Sequence, residues 1–299
     1  MSQTKITLLD GGMGQELIRR SGEPATPLWS TRVLLDRPEL VEGLHLDFIK
    51  AGAKVITLNN YTATMDRLKR DATIDLFEPI HNEAKRVAQA ARDKSGESDV
   101  KIAGSLPPLL ASYKPELAPD VETCASRYRE LVSVQKDGVD LFICETIATI
   151  REGVGAATAV REAGCSLFVS FTLDDDNPEC LRSGEALLDA VAAVAPFEPD
   201  AILVNCSMPE TVSAVMPKLV QAFPAVGAYA NGFQSVAELD AGGTVEALKG
   251  RQDLTPEAYA GFVTRWADMG AAIVGGCCEV GPAHIAATAA ALQDAGYAV

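Results

Sequence analysis

The stretch Ala271-Ala272-Ile273-Val274-Gly275-Gly276-Cys277-Cys278 decides how the rest of the chain is interpreted. Small and apolar residues follow one another without a break and then end at two adjacent cysteines, which is typical of a short buried strand. A second stretch, Ala201-Ile202-Leu203-Val204-Asn205-Cys206-Ser207, has the same form and also ends at a cysteine. Strands that are apolar throughout occur in parallel sheets covered on both faces. The two stretches therefore predict strands that carry thiols at their carboxyl ends.

Similar short apolar runs alternate with helical patterns along the whole chain. Strands are predicted at 6–10, 55–58, 101–104, 141–144, 167–171, 201–205, 226–230 and in the run before Cys277. A helical pattern follows each strand, including one predicted at 185–194. Eight such units without a composition break predict an α/β fold, a single-domain (β/α)8 TIM barrel over residues 1–299. An open doubly wound sheet is the alternative.

Charge and hydrophobicity narrow the classes of partner. The formal net charge is −15 in 299 residues, which argues against a nucleic-acid partner and against an anionic membrane surface. No apolar run reaches the length of about 18 residues that a membrane span needs. The N-terminus leads into a strand pattern without the apolar region of a signal peptide. We therefore expect a cytoplasmic protein with small-molecule substrates.

The chain has seven cysteines, and an odd number in a chain expected to be cytoplasmic does not predict a disulfide framework. Their positions divide them into two groups. Four are scattered and are interpreted as structural thiols: Cys124, Cys144, Cys165 and Cys180. The thiols of Cys206, Cys277 and Cys278 follow strands and predict a zinc site, since thiolates suit this metal. Three protein ligands leave one position open, as in catalytic zinc sites. Inert core thiols and a vicinal disulfide are the alternatives.

A second constellation is Asp10-Gly11-Gly12-Met13-Gly14, after the first strand. The third glycine of a dinucleotide-binding motif is missing, and no phosphate-binding lysine follows. A tight turn could expose amides to a carboxylate while Asp10 faces an ammonium group; a plain turn with a helix cap is the alternative. Glu145 is a second carboxylate at a strand end. Two carboxylates, exposed amides and a thiol-rich metal would suit an amino acid that carries a thiol.

From about Leu8 to Ile285, the chain resembles the homocysteine S-methyltransferases, a group that includes the betaine–homocysteine enzymes and the homocysteine module of cobalamin-dependent methionine synthase. The matching residues are Asp10-Gly11-Gly12, Trp29, Asn59-Asn60-Tyr61, Glu145-Thr146, Asn205-Cys206 and Gly275-Gly276-Cys277-Cys278. The resemblance implies zinc held by the three cysteines, with the homocysteine sulfur as fourth ligand. It also implies that Asp10 and Glu145 hold the substrate ammonium, and that the amides of Gly11 and Gly12 hold its carboxylate.

The methyl donor is expected to be small and already activated, because one barrel leaves no module for cobalamin or folate. A sulfonium such as S-methylmethionine or S-adenosylmethionine is favoured, and a betaine-type ammonium is the alternative. Trp29, Asn59 and Tyr61 are expected on the substrate-binding side, and aromatic faces attract such cations. The chain departs from the family at Glu279 and at 106–110, both on the rim where a donor would approach.

Two rival functions remain open at this point. A metal-dependent hydrolase on the same barrel would normally use a histidine-rich cluster, whereas His45, His81 and His284 show no ligand spacing. A non-enzymatic barrel that senses zinc or thiol oxidation would need the cysteines but would have no use for Asp10 and Glu145.

Overall fold

Eight parallel strands form a barrel in the computed structural model, which describes residues 3–299. The strands are β1 (Thr7–Leu8), β2 (Val55–Thr57), β3 (Lys101–Leu106), β4 (Leu141–Ile147), β5 (Leu167–Phe171), β6 (Ala201–Asn205), β7 (Val226–Tyr229) and β8 (Ile273–Val274). Their order in the sheet is β1-β8-β7-β6-β5-β4-β3-β2, so that each strand lies beside its neighbour in sequence. This order confirms the predicted single-domain (β/α)8 barrel.

The barrel closes between β1 and β2. Leu9 pairs with Val55 in a parallel bridge, and two backbone hydrogen bonds flank it. Asp10 N donates to Val55 O at 2.9 Å, and Lys54 N donates to Leu8 O at 2.7 Å. Because an open doubly wound sheet would leave these two strands apart, the alternative architecture is wrong.

The helices surround the barrel and return the chain to its amino end. They are α1 (Met13–Ser21), α2 (Ser30–Asp36), α3 (Pro38–Lys50), α4 (Met65–Asp71), α5 (Phe77–Ser95), α6 (Val121–Gln135), α7 (Ile150–Glu162), α8 (Leu187–Val194), α9 (Pro209–Ala222), α10 (Pro256–Met269) and α11 (Pro282–Asp294). Side-chain caps begin several of them, for example Asp120 on α6, Thr149 on α7 and Thr255 on α10. Such caps satisfy amides that have no acceptor within the helix.

Apolar side chains form two separate layers. The larger layer lies between the strands and the surrounding helices and includes Phe48, Phe142 and Trp266. The smaller layer fills the barrel interior with residues such as Leu9, Ile143 and Leu203, and Tyr229 stands at its carboxyl end. Because the interior is filled, the expected place for a ligand is the carboxyl mouth of the barrel.

Three of the helices were not predicted from the sequence. Helices α1, α2 and α4 lie in the connections after β1 and β2, where they build one side of the barrel mouth. The helix predicted at 185–194 is also corrected, because α8 begins only at Leu187. Residues 180–186 form a tight turn instead, in which Cys180 and Ala186 face each other in an antiparallel bridge.

The acidic loop after β5, residues 174–176, has a structural role. Asp175 Oδ1 accepts hydrogen bonds from Met208 N at 2.9 Å and from Thr211 Oγ1 at 3.0 Å, at the start of α9. Its other oxygen accepts from Arg182 Nη2 at 2.8 Å.

Within residues 3–299, none of the helices combines the length and apolar character needed to cross a membrane.

Candidate active site

A cavity of about 110 Å³ opens at the carboxyl mouth of the barrel. All ten site residues predicted from the sequence line it, although they come from six separate places in the chain. They are Asp10, Gly11, Gly12, Trp29, Asn59, Tyr61, Glu145, Cys206, Cys277 and Cys278. The fold therefore brings the thiols, the carboxylates and the aromatic residues to one place.

Three cysteine side chains form one wall of this cavity. The sulfur atoms of Cys206, Cys277 and Cys278 all lie within 4.8 Å of one another, and Cys206 Sγ is 3.9 Å from Cys278 Sγ. Cys206 and Cys277 are joined by a disulfide bond, which the sequence analysis did not predict. Only the reduced form offers three thiolates. In that form the set consists of soft sulfur donors of the kind that zinc accepts.

Asn205 fixes the end of β6 and with it the position of Cys206. Its Oδ1 accepts hydrogen bonds from Thr146 N at 2.9 Å and from Ser170 Oγ at 2.8 Å. Its Nδ2 donates to Thr146 Oγ1 at 2.9 Å. Both Thr146 and Cys206 have positive φ values, 59° and 48°, which are uncommon for residues with side chains. Asn205 thus holds two strained strand ends together, and such strain clusters at functional sites.

The backbone of the cysteine pair is held against the first strand. Gly276 N donates to Asp10 O at 2.9 Å, and Cys277 N donates to Ala230 O at 2.9 Å. Gly12 lies so close to this segment that a Cβ added there would be 2.5 Å from Cys277 O. Glycine is therefore required at position 12 for steric reasons, since its φ of −71° suits any residue.

We expect Gly12→Ala to displace the cysteine pair and to lower metal binding. A shift of about 1 Å in a catalytic group can reduce turnover by about a hundredfold. Gly43→Ala on α3 is the matched control, because a Cβ there would have no atom of residues 3–299 within 4 Å apart from its chain neighbours and the backbone of its own helix. Metal analysis of both reduced variants checks this, and full metal content in Gly12→Ala would show that the close contact is unimportant.

Two carboxylates also line the cavity: the buried Asp10, which follows β1, and the partly buried Glu145 on β4. Asp10 accepts from Thr57 N at 2.8 Å and from Thr57 Oγ1 at 3.3 Å, and Glu145 accepts from the Ser105 hydroxyl. Burial raises the pKa of Asp10 to about 8, with a further contribution from the charge of Glu145. Burial likewise raises the pKa of Glu145 to about 7. Both carboxylates would gain from a cationic partner in the cavity.

The amino end of α1 also opens into the cavity. The Gly12 amide was predicted to bind the substrate carboxylate. It is not available to a ligand, because it donates to Val280 O at 2.9 Å. Gly12 caps α1 without a side-chain acceptor, so the first amides of the helix depend on another partner. In addition, both side-chain amide atoms of Gln15 are buried without a hydrogen-bond partner among residues 3–299. This helix end is therefore suited to an anionic group such as a carboxylate.

Aromatic residues form the third side of the cavity. The rings of Trp29 and Tyr61 are stacked, with centroids 5.8 Å apart and planes inclined by 10°. The Arg67 guanidinium already lies over the Tyr61 ring, 5.3 Å from its centroid. Asn59 Oδ1 accepts from Ser30 Oγ at 2.6 Å, so that Asn59 anchors the start of α2. Trp29 is consequently the better placed of the two predicted aromatic residues to meet a cationic ligand.

Several residues of the cavity were not selected from the sequence. Gln15, Tyr113 and Tyr229 line it, and Thr57 and Ser105 support its carboxylates. Nothing in the sequence distinguishes the Ser105 hydroxyl from that of an ordinary turn residue. Tyr229 is the last residue of an apolar strand, where a tyrosine usually indicates core packing.

Comparisons with known proteins were made over the whole chain. The homocysteine S-methyltransferase family model matches residues 7–292. The homocysteine S-methyltransferase of Escherichia coli (strain K12) is 31% identical in an alignment of 308 positions, gaps included, that covers 96% of this chain and 95% of that protein. A selenocysteine Se-methyltransferase of Brassica oleracea var. italica is 26% identical in an alignment of 305 positions that covers 94% of this chain and 87% of that protein.

Two solved structures are similar over nearly their full length. The metallated form of the homocysteine methyltransferase MmuM from Escherichia coli superimposes with a TM-score of 0.80 at 28% identity, covering 96% of each chain. The oxidized form of the same protein gives a TM-score of 0.78 at 28% identity, covering 95% of each chain. The barrel and its loops are therefore similar in both comparisons.

Proposed function

Because the chain belongs to the homocysteine S-methyltransferase family, we propose that it transfers a methyl group from a small sulfonium donor to the homocysteine thiolate, giving methionine. One observation carries this proposal: three clustered cysteine side chains and the carboxylates of Asp10 and Glu145 face the same cavity. An amino acid that carries a thiol needs both kinds of group, one at each end of the molecule.

Zinc is the proposed metal, held by Cys206, Cys277 and Cys278 in the reduced protein. The three sulfur atoms already lie within 4.8 Å of one another, which supports a shared ion. Bound zinc would stabilise the homocysteine sulfur as a thiolate, the form that attacks a methyl group. The strained end of β6 at Cys206 and the close packing of Gly12 hold these ligands in position before substrate arrives.

Asp10 and Glu145 are proposed to bind the substrate ammonium, and the amino end of α1 its carboxylate. Asp10 is buried and Glu145 partly buried, and none of the residues that line the cavity is a lysine, arginine or histidine. An ammonium group would therefore compensate charges that otherwise have only hydrogen bonds to Thr57 and Ser105. This arrangement orients the substrate along the cavity, with its sulfur at the thiol wall.

The donor is proposed to be a sulfonium such as S-methylmethionine or S-adenosylmethionine. The same acidic and aromatic lining favours a cation, and the face of Trp29 would attract it by about 0.5–2 kcal/mol. A betaine-type ammonium is the alternative donor. Sulfonium is favoured because a neutral thioether leaves more readily than a tertiary amine.

Donor specificity tests this proposal directly. Reduced, zinc-loaded protein would be incubated with ¹³C-labelled homocysteine and one donor at a time, and ¹³C-methionine would be measured. We expect product with S-methylmethionine or S-adenosylmethionine and little with betaine. Product only with methylcobalamin or methyltetrahydrofolate would contradict the proposal. A zinc- or thiol-sensing protein without enzymatic activity would form no methionine with any donor.

The affinity for the product methionine is expected to rise as the pH increases from about 6 to about 8. Asp10 and Glu145 have raised pKa values, about 8 and about 7, so each holds a proton at low pH and cannot accept an ammonium hydrogen. Methionine has no thiol, and its binding therefore isolates these two groups from thiol ionisation. Calorimetry across this range measures the effect, which should be weaker in Asp10→Asn; an equal slope in that variant would assign the dependence elsewhere.

A further inference from the structure

Tyr229 carries a buried hydroxyl group with no assigned role. Its side chain is 5% exposed and stands at the carboxyl end of the barrel interior, where it lines the cavity together with Asp10 and Glu145. The hydroxyl oxygen has no hydrogen-bond partner among residues 3–299. Leaving a buried hydroxyl unpaired costs about 1–3 kcal/mol, so this hydroxyl does not contribute to the stability of the fold.

The neighbours of Tyr229 indicate what the hydroxyl could bind. Tyr229 lines the same cavity as Asp10 and Glu145. Burial raises the pKa of its hydroxyl, and the charges of Glu145 and Asp10 raise it further, so the group stays protonated. Ser170 lies near the Tyr229 hydroxyl. It has no hydrogen to donate to the tyrosine oxygen, because its own hydrogen is donated to Asn205 Oδ1 at 2.8 Å. The tyrosine oxygen can thus accept a hydrogen bond from a ligand held between the two acidic groups.

Strand positions give the three groups a common geometry. Asp10 follows β1, Glu145 lies on β4 and Tyr229 ends β7. Around the closed barrel, β4 is three strands from β1, β7 is three strands from β4, and β1 is two strands from β7. They approach the barrel axis from three directions. An ammonium group has three hydrogens to donate and therefore needs three acceptors.

Other polar groups at the cavity wall are less suitable as the third acceptor. Most of them already have hydrogen-bond partners within the described chain: Ser30, Thr57, Asn59, Tyr61 and Thr146. Gln15 has an unpaired side chain, but it lies in the first turn of α1, on the side proposed for the carboxylate.

From these observations we propose that the Tyr229 hydroxyl oxygen is the third acceptor of the substrate ammonium and completes the site formed by Asp10 and Glu145. This inference rests on the proposed function and extends it to a substrate-binding residue. Recognition of a primary ammonium at three points would favour α-amino thiols over thiols that have only a carboxylate.

The test is Tyr229→Phe, which removes one oxygen atom and keeps the ring. Two competitors of homocysteine separate the ends of the substrate: 3-aminopropane-1-thiol keeps the ammonium, and 4-sulfanylbutanoate keeps the carboxylate. We expect the inhibition constant of the aminothiol to rise about tenfold or more, as for a lost hydrogen bond to a charged group. The inhibition constant of 4-sulfanylbutanoate should change by less than about twofold, because this competitor has no ammonium group and loses no hydrogen bond.

Thermal unfolding distinguishes a binding role from a structural one. Tyr229→Phe should unfold at the wild-type temperature or above it, because its hydroxyl has no partner in the free protein. Tyr128→Phe is the matched control: Tyr128 does not line the cavity, its hydroxyl donates to Pro107 O at 2.9 Å, and the loss of this bond should lower the unfolding temperature. Tyr128→Phe should leave both inhibition constants unchanged.

Three outcomes would overturn the inference. The first is a selective loss of 4-sulfanylbutanoate binding in Tyr229→Phe, which would assign the hydroxyl to the carboxylate. The second is unchanged binding of both competitors in a variant that still forms methionine. The third is a fall in unfolding temperature like that of Tyr128→Phe. Failure of the proposed function is seen separately, as wild-type protein that forms no methionine, and the inference would then fail with it.

Discussion

Replacing Cys277 with serine is expected to remove the metal from the reduced protein and to abolish methyl transfer. Its sulfur is one of three within 4.8 Å of one another, and a serine hydroxyl is a much poorer ligand for a soft metal site. Two remaining thiolates would not hold zinc firmly enough to keep the homocysteine sulfur ionised. Metal analysis by mass spectrometry and the rate of methionine formation would both fall to background.

Cys165→Ser is the matched control for this experiment. Cys165 is a free, partly exposed cysteine that follows α7 and does not line the cavity. Its substitution should leave one zinc per chain and wild-type turnover. Cys206→Ser and Cys278→Ser should behave like Cys277→Ser, and stoichiometric zinc with full activity in any of the three would refute the proposed ligand set.

The second large effect is expected at the other end of the substrate. Glu145→Gln and Asp10→Asn each remove an acceptor for the ammonium, while the metal stays in place. Losing a charge-assisted hydrogen bond costs roughly 1.5–3 kcal/mol, which corresponds to about tenfold to a hundredfold weaker homocysteine binding. Calorimetric titration of zinc-loaded protein at pH 8, where Glu145 is largely ionised and Asp10 about half ionised, measures the change.

Glu152 provides a control of the same chemical kind. Its carboxyl group is 3% exposed, and burial raises its pKa to about 7, as it does for Glu145. Glu152 lies in the first turn of α7 and does not line the cavity, so Glu152→Gln should not change homocysteine affinity. Wild-type affinity in both Asp10→Asn and Glu145→Gln would show that the ammonium binds elsewhere.

Much of the fold was predictable because a closed parallel barrel leaves a strong pattern in the sequence. Strands such as Leu167–Phe171 and Ala201–Asn205 are buried on both faces and therefore read as short apolar runs. The polar residues that follow them, such as Asp10 and Cys206, share the carboxyl mouth for topological reasons. For the same reason all ten predicted site residues line one cavity.

Features that depend on contacts between distant residues could not be predicted. The Gly12 amide was assigned to a ligand, but Val280, far away in sequence, accepts its hydrogen bond. The disulfide between Cys206 and Cys277 depends on how β6 and β8 are placed across the barrel. Tyr229 resembles a core residue in the sequence, and only the missing partner of its hydroxyl identifies it.

Zinc K-edge X-ray absorption with and without homocysteine tests the central claim most directly, because it counts the sulfur atoms bound to the metal. The claim is that one zinc, held by Cys206, Cys277 and Cys278, also binds the sulfur that receives the methyl group. We predict three sulfur ligands in the reduced, zinc-loaded protein and four after homocysteine is added. A count that stays at three while homocysteine is bound and converted to methionine would contradict this account.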